Sequence, residues 1–417
     1  MKFFFLITCW IFTVVFAILF TFENPEKIEK IKSNFKKNKK IESKIVKENE
    51  KIVIANSFVV NLSKVLDIKA KTAFIIYPDE KKKFDPLNLI IYTQTGFRIS
   101  GAKNEKLNLP KYFTLQRNGG VKTIISLNKK TFALLSGNEK NCFFSSVVSL
   151  IDGKEIFRTK CLPEKPKNND FNGMGSSNVH LNDSILFSLG TPEKHVSKNS
   201  LLAQDKNSYF GKILQVKKND LINILKNKSK NLKIDIFSKG HRVPQGLTLL
   251  NGKIFNTEHG PKGGDELNLV SQNKNYGWPN VSYGTNYLKD NGGDGNSIPV
   301  NHEKNDFEEP LFAFVPSVGI SALNNCPIVL KNYYKKPCLI ALSLYGNNLR
   351  KGNSLIIFLL NESLDKVTSV EKIFLNDLVL RHFVTNGKNI LYEDINGNIY
   401  VSADKKGIYK IGFKNFR

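Results

Sequence analysis

The residues best equipped for chemistry crowd into one stretch. Gly240-His-Arg-Val-Pro-Gln-Gly246 is followed by Glu258-His-Gly-Pro-Lys-Gly-Gly-Asp-Glu-Leu-Asn268, then by Asn275-Tyr-Gly-Trp-Pro279 and Ser282-Tyr-Gly-Thr-Asn-Tyr287. Imidazoles, carboxylates, a guanidinium and side-chain amides are the groups that move protons and orient ligands. Glycine and proline at this density exclude a regular helix and interrupt any strand. The block must therefore form loops whose backbone takes positive φ or approaches a ligand closely. Loops held that tightly carry function.

The elements that position these loops read as strands. From Ile52 onward, short apolar runs alternate with Asn, Gly, Asp and Lys turns, and sustained helical periodicity is nearly absent. Six such runs stand out: Leu89 to Tyr92, Thr131 to Leu134, Ile185 to Ser188, Lys253 to Asn256, Leu339 to Leu342 and Asn398 to Val401. Their separations, about 40 to 85 residues, suit four-stranded propeller blades with insertions, although sandwiches also show short, even strands. A helix is predicted over Lys218 to Lys226. A hairpin turning at Asp152-Gly153 would bring Cys142 and Cys161 close enough to consider a bridge. Cys326 and Cys338 bracket a second candidate hairpin. Buried free thiols are the open alternative for all four.

The motif block resembles the soluble aldose sugar dehydrogenases that depend on pyrroloquinoline quinone (PQQ), also called glucose/sorbosone dehydrogenases. Members look like Gly-x-Arg-Asn-Pro-Gln-Gly, then Glu-His-Gly-Pro-Arg-Gly-Gly-Asp-Glu-Leu-Asn, then Asn-Tyr-Gly-Trp-Pro, in this order. The resemblance thins over residues 170–417 and fades through 50–165. It implies an all-β, six-bladed β-propeller whose central face holds PQQ and calcium, with a histidine taking a proton from the sugar while hydride passes to the quinone. By the same resemblance, the backbone carbonyls of Gly260 and Pro261 ligate calcium and Asp265 is the active-site aspartate. Arg242, Gln245 and Arg381 face the cofactor. A propeller needs no buried carboxylate at Asp265 for stability, which favours a metal site there.

Other family positions depart. The segment that carries the catalytic histidine aligns with Asn172-Gly-Met-Gly-Ser-Ser177, so glycine, Gly173, stands where the base belongs. Ser177 and Val379 replace two family arginines. The family lysine falls near Tyr345, with Arg350 or Lys351 as substitutes. His180 and His195 are candidates for a displaced base, and His259 for a loop brace. Trp278 and Tyr276 read equally as cofactor neighbours or as packing. Two functions follow: a PQQ- and calcium-dependent oxidation of aldose-type sugars, or a catalytically inactive propeller binding a glycan or protein through calcium.

Composition bounds the rest. The chain has 417 residues, 30 Phe, 13 Tyr and a formal charge of +25. Lysine is scattered and arginine scarce, which argues for a solvated surface and against nucleic acid as partner. Residues 1–22 contain an uncharged run from Phe3 to Phe22, long enough to cross a bilayer and lacking a small-x-small cleavage site. They are expected to form a transmembrane signal-anchor, residues 23–50 a charged tether and residues 51–417 the propeller. Seven lysines between Lys27 and Lys40 favour a cytoplasmic side by the positive-inside rule. Long domains translocate despite such charges, and the resemblance implies a periplasmic domain passing electrons to a quinone or cytochrome.

Overall fold

The computed structural model describes residues 43–46, 51–54, 58–78, 84–166, 171, 174–175, 177–192, 196–226, 232–287, 295–344, 353–375 and 378–415. Three strands come first: β1 (Ser43–Ile45), β2 (Lys51–Ile54) and the long β3 (Phe58–Ile68). Five four-stranded antiparallel blades follow. Blade 1 comprises β4 (Thr72–Ile76), β5 (Ile90–Thr93), β6 (Phe97–Ser100) and β7 (Lys103–Lys106). Blade 2 comprises β8 (Val121–Leu127), β9 (Lys130–Glu139), β10 (Cys142–Ser149) and β11 (Glu155–Arg158). Blade 3 comprises β12 (Asn178–His180), β13 (Ser184–Leu189), β14 (Lys212–Lys217) and β15 (Asp235–Lys239). Blade 4 comprises β16 (Pro244–Leu250), β17 (Lys253–Glu258), β18 (Asp265–Val270) and β19 (Phe312–Phe314). Blade 5 comprises β20 (Ile320–Asn325), β21 (Cys338–Ser343), β22 (Ser354–Leu360) and β23 (Val367–Phe374).

The sixth blade joins the two ends of the described chain. β24 (Leu380–Phe383), β25 (Ile399–Ala403) and β26 (Gly407–Asn415) are completed by β3, which pairs with β26 from Leu66 opposite Ile408 to Phe58 opposite Asn415. β1 and β2 extend this blade along the other edge of β3, so Ser43–Ile45, inside the stretch expected to be a tether, is a paired strand. The fold is a six-bladed all-β propeller.

Each of the six apolar runs seen in the sequence lies on or overlaps the second strand of a blade: β5, β9, β13, β17, β21 or β25. That strand is covered on both faces by neighbouring blades, so it reads as a continuous apolar run. Between blades 4 and 5, for example, Phe255, Leu267 and Phe314 pack with Leu339, Ile356 and Phe358. The predicted helix is present at Lys218–Leu225. Cys142 and Cys161 form a disulfide across the predicted hairpin. Cys326 and Cys338 form a second, with the helix Ile328–Tyr334 in the connection.

Among the described residues no helix is long and apolar enough to cross a membrane. The expected anchor over 1–22 and the tether up to residue 42 lie outside the described residues.

The innermost strands β4, β8, β12, β16, β20 and β24 ring a central channel and all begin on one side, called here the upper face. The connection from β24 to β25 fills the lower end. Asn389 donates from Nδ2 to the carbonyls of Asn178 (2.8 Å) and Leu247 (3.1 Å), and its own carbonyl accepts from Asn324 Nδ2 at 2.9 Å. Among the described residues a cavity of about 10 Å³ is lined by Ser177, Gln245, His382 and Asn389 among others. That is room for one water molecule.

Candidate functional site

On the upper face, the β17–β18 loop is built around Asp265. Its Oδ2 accepts from the backbone N–H groups of Val318 (3.1 Å), Gly319 (2.6 Å) and Ile320 (3.0 Å), and Oδ1 accepts from Gly260 N–H at 3.3 Å. One buried carboxylate thus ties the loop of blade 4 to the segment entering blade 5. Asp265 has a stability role that the sequence argument denied it. Gly260 is required by crowding, because a Cβ there would lie 2.2 Å from the carbonyl oxygens of Gly263 and Gly264.

Arg242 closes the same loop. Its Nη1 donates to the carbonyls of His259 (3.1 Å) and Gly260 (2.6 Å), and its guanidinium lies 5.1 Å from the Trp278 ring. The Pro261 carbonyl accepts from Tyr287 Oη at 3.4 Å. The two carbonyls expected to ligate calcium are therefore engaged by protein donors, and so is the Asp265 carboxylate. Each carbonyl keeps a second lone pair, but the positive Arg242 guanidinium 2.6 Å from the Gly260 oxygen opposes a cation at that atom. Among the described residues no group of three or more His, Cys, Asp and Glu side chains is placed to hold a metal.

His259 braces the loop as expected. Its Nε2 bonds the Ile320 carbonyl, which can only accept, so Nε2 carries the proton and Nδ1 is the accepting atom. Burial holds its pKa below the usual histidine value, against the opposing charge of Asp265. Beneath the loop, Glu258 and Glu266 face each other across β17 and β18, and Asn268 Nδ2 donates to both, at 3.1 and 3.3 Å. Burial first, and Glu258 second, raise the Glu266 pKa well above the ordinary carboxylate range. Like charges this close cannot both ionise at little cost.

Across the axis the upper face is cationic. Arg381, second residue of β24, makes a bidentate pair with Asp404, at 2.6 Å from Nε and 2.5 Å from Nη2. Lys71 precedes β4, and Lys122 is the second residue of β8. β4 lies beside both β8 and β24, so the three cations come from adjacent inner strands. Backbone bonds lock this arc together: Gln94 N–H to Lys71 O (3.0 Å), Val121 N–H to Gln94 O (2.9 Å) and Lys405 N–H to Ala70 O (3.1 Å). Burial, then Arg381 and Lys71, push the Lys122 pKa down to about 7. Burial, then Arg381, hold the His382 imidazole at about 3.

The family model described as Glucose / Sorbosone dehydrogenase matches residues 144–341. The match spans just under half of the chain. The aldose sugar dehydrogenase YliI of Escherichia coli is 34% identical over 102 residues, 23% of this chain and 25% of that protein. Quinoprotein glucose dehydrogenase B of Acinetobacter calcoaceticus is 37% identical over 87 residues, 21% and 18% of the respective chains. The chain thus matches about a quarter or less of either relative's length. In overall fold, the apo-form of the soluble E. coli aldose sugar dehydrogenase superposes with a TM-score of 0.61 at 19% identity, covering 85% of this chain and 99% of that one.

Against the glucose/sorbosone dehydrogenase pattern, the structure gathers Arg242, His259, Gly260 and Asp265 into one bonded loop and sets Arg381 within reach of its field. Gln245 lines the one-water cavity instead. His180 ends inner strand β12 towards the lower face, beside Lys218 and Lys388, so it is no substitute base for the upper face. Trp278 and Tyr276 are packing: Trp278 Nε1 donates to Thr191 Oγ1 (3.1 Å), and Tyr276 stacks on His241 and donates to Leu269 O (2.6 Å). Gly173, His195, Tyr345, Arg350 and Lys351 lie outside the described residues. Sequence reasoning missed Lys71 and Lys122. Their signal is a lysine at the start of an inner strand.

Proposed function

We propose that the chain binds PQQ on the upper face and oxidises an aldose-type sugar. The observation that carries this reading is the arc of Arg381, Lys71 and Lys122, whose charge suits a cofactor bearing carboxylates. When bound, PQQ supplies a quinone that accepts hydride. The chain's own part is to hold the carboxylates, to keep the loop of Arg242, Gly260 and Asp265 rigid beside the ligand, and to take up the sugar's proton. His259 Nδ1 and the His382 ring are the described imidazoles in the field of Arg381, and both are neutral at pH 7, as a base must be. No step is routed through calcium, because the Arg242 guanidinium already sits on the Gly260 carbonyl.

A second reading, a propeller that binds without turning over, is favoured by one observation. A base held at about 3 is far from the working pH at which proton transfer is efficient. Titrating the full-length chain with PQQ by absorbance, then offering aldoses with an artificial electron acceptor, separates the two. PQQ binding with dye reduction supports the oxidoreductase, binding without reduction supports the second reading, and no binding defeats the first.

We further place the propeller outside the cytoplasmic membrane, anchored by residues 1–22 and delivering electrons to a quinone or cytochrome. Two disulfides support an oxidising compartment. An alkaline phosphatase fused after residue 417 should be active in cells; an inactive fusion would refute export.

A further inference from the structure

The geometry points to Lys122, with Lys71, as a carboxylate-gripping cradle on the upper face, contributed by blades 1 and 2 and completed by Arg381 of blade 6. Three cations occupy this arc, and one carboxylate, Asp404, answers them. Asp404 is committed through both oxygens to Arg381. Among the described residues no acidic side chain lies within ion-pairing distance of Lys71 or Lys122.

Lys122 is the telling member. It is only 9% exposed, and Nζ makes one hydrogen bond, to the Asn118 carbonyl at 3.0 Å. An ammonium has three donors, so two remain unmet in a place where water is largely excluded. The Asn118 carbonyl also accepts from Gln94 Nε2 at 3.2 Å, and Gln94 donates to Gly119 O at 2.7 Å, so the turn it caps is held without the lysine. Burying a charge with an incomplete shell is costly unless a partner arrives. A planar ligand carboxylate laid across adjacent inner strands would meet Lys122, Lys71 and the outer edge of the Arg381 pair together. Lysines from blades 1 and 2 would thus supply cations at an arc where Ser177 and Val379 bring none.

This inference rests on the PQQ reading for its ligand, and the test keeps the two apart. Full-length wild type, Lys122→Met, Lys71→Met and the exposed control Lys233→Met are titrated calorimetrically with PQQ and with benzene-1,3,5-tricarboxylate, each first checked by thermal melting. Lys122→Met should weaken PQQ binding roughly tenfold or more, the share of a charge-assisted hydrogen bond, and Lys233→Met should not change it. Should Lys122→Met fail to fold, Lys71→Met carries the test, supported by a loss of wild-type affinity with added salt. Unchanged PQQ affinity in both cradle variants overturns the cradle and leaves the PQQ reading standing. Tricarboxylate binding that is lost in Lys122→Met, with no PQQ binding to wild type, supports the cradle and overturns PQQ as its ligand. Binding of neither probe overturns both.

Discussion

The carboxylate of Asp265 accepts the N–H of Gly319 at 2.6 Å, and two neighbouring N–H groups converge on the same oxygen. Removing that carboxylate orphans buried donors on both sides of a blade junction. Each orphan costs about 1–3 kcal/mol, so Asp265→Ala should lose about 3 kcal/mol or more in a denaturant melt. Asp265→Asn keeps one acceptor and should lose less. Because the donors are backbone N–H groups, both losses should be the same with calcium or with a chelator present. A loss that calcium repairs would contradict the bonding described here.

Glu266 sets a pH dependence of definite sign. Its pKa is raised in the folded protein by burial and by Glu258, so the folded state holds a proton that the unfolded state releases above about pH 4.5. The stability it contributes is complete below that value and is lost as pH rises through the folded pKa. Glu266→Gln mimics the protonated form and keeps the Asn268 acceptor. Compared with wild type, it should gain stability progressively as pH is raised from 5 towards 9. Parallel stability curves for the two proteins would exclude a protonated Glu266.

How much of this was legible without coordinates follows from where each signal lies in the chain. The second strands of the blades announced themselves because burial on both faces leaves an uninterrupted apolar run such as Ile185 to Ser188. The motif loops were legible as loops because Gly260 admits no side chain and Gly263 and Gly264 take positive φ. Their internal roles were not. Asp265 reads as a ligand in a linear motif, and only the fold brings Val318, Gly319 and Ile320 onto its oxygens. The cationic arc was invisible for the same reason: Lys71, Lys122 and Arg381 are far apart in sequence, and a ring of inner strands is what sets them side by side. A hairpin turn at Asp152-Gly153, by contrast, is a local feature, and the Cys142–Cys161 bridge across it was within reach of sequence reasoning.

The last prediction concerns Lys122 as a charge in the unliganded protein. Its pKa is about 7 when folded and near the ordinary lysine value of 10.5 when unfolded. Between these values the unfolded chain binds the extra proton, so stability rises with pH across that window. A single proton sets a slope of at most about 1.4 kcal/mol per pH unit. Lys212, held at about 7 by burial, adds a slope of the same sign, so the informative quantity is the difference between wild type and Lys122→Met. The variant should be the more stable protein at pH 7, and the gap should close by pH 10. Adding a carboxylate ligand that occupies the arc should also shrink the gap at pH 7, because the ligand then meets the charge that burial leaves exposed to its neighbours Lys71 and Arg381. A gap that is independent of pH would mean that Lys122 has the same pKa folded and unfolded, so that burial places no penalty on its charge.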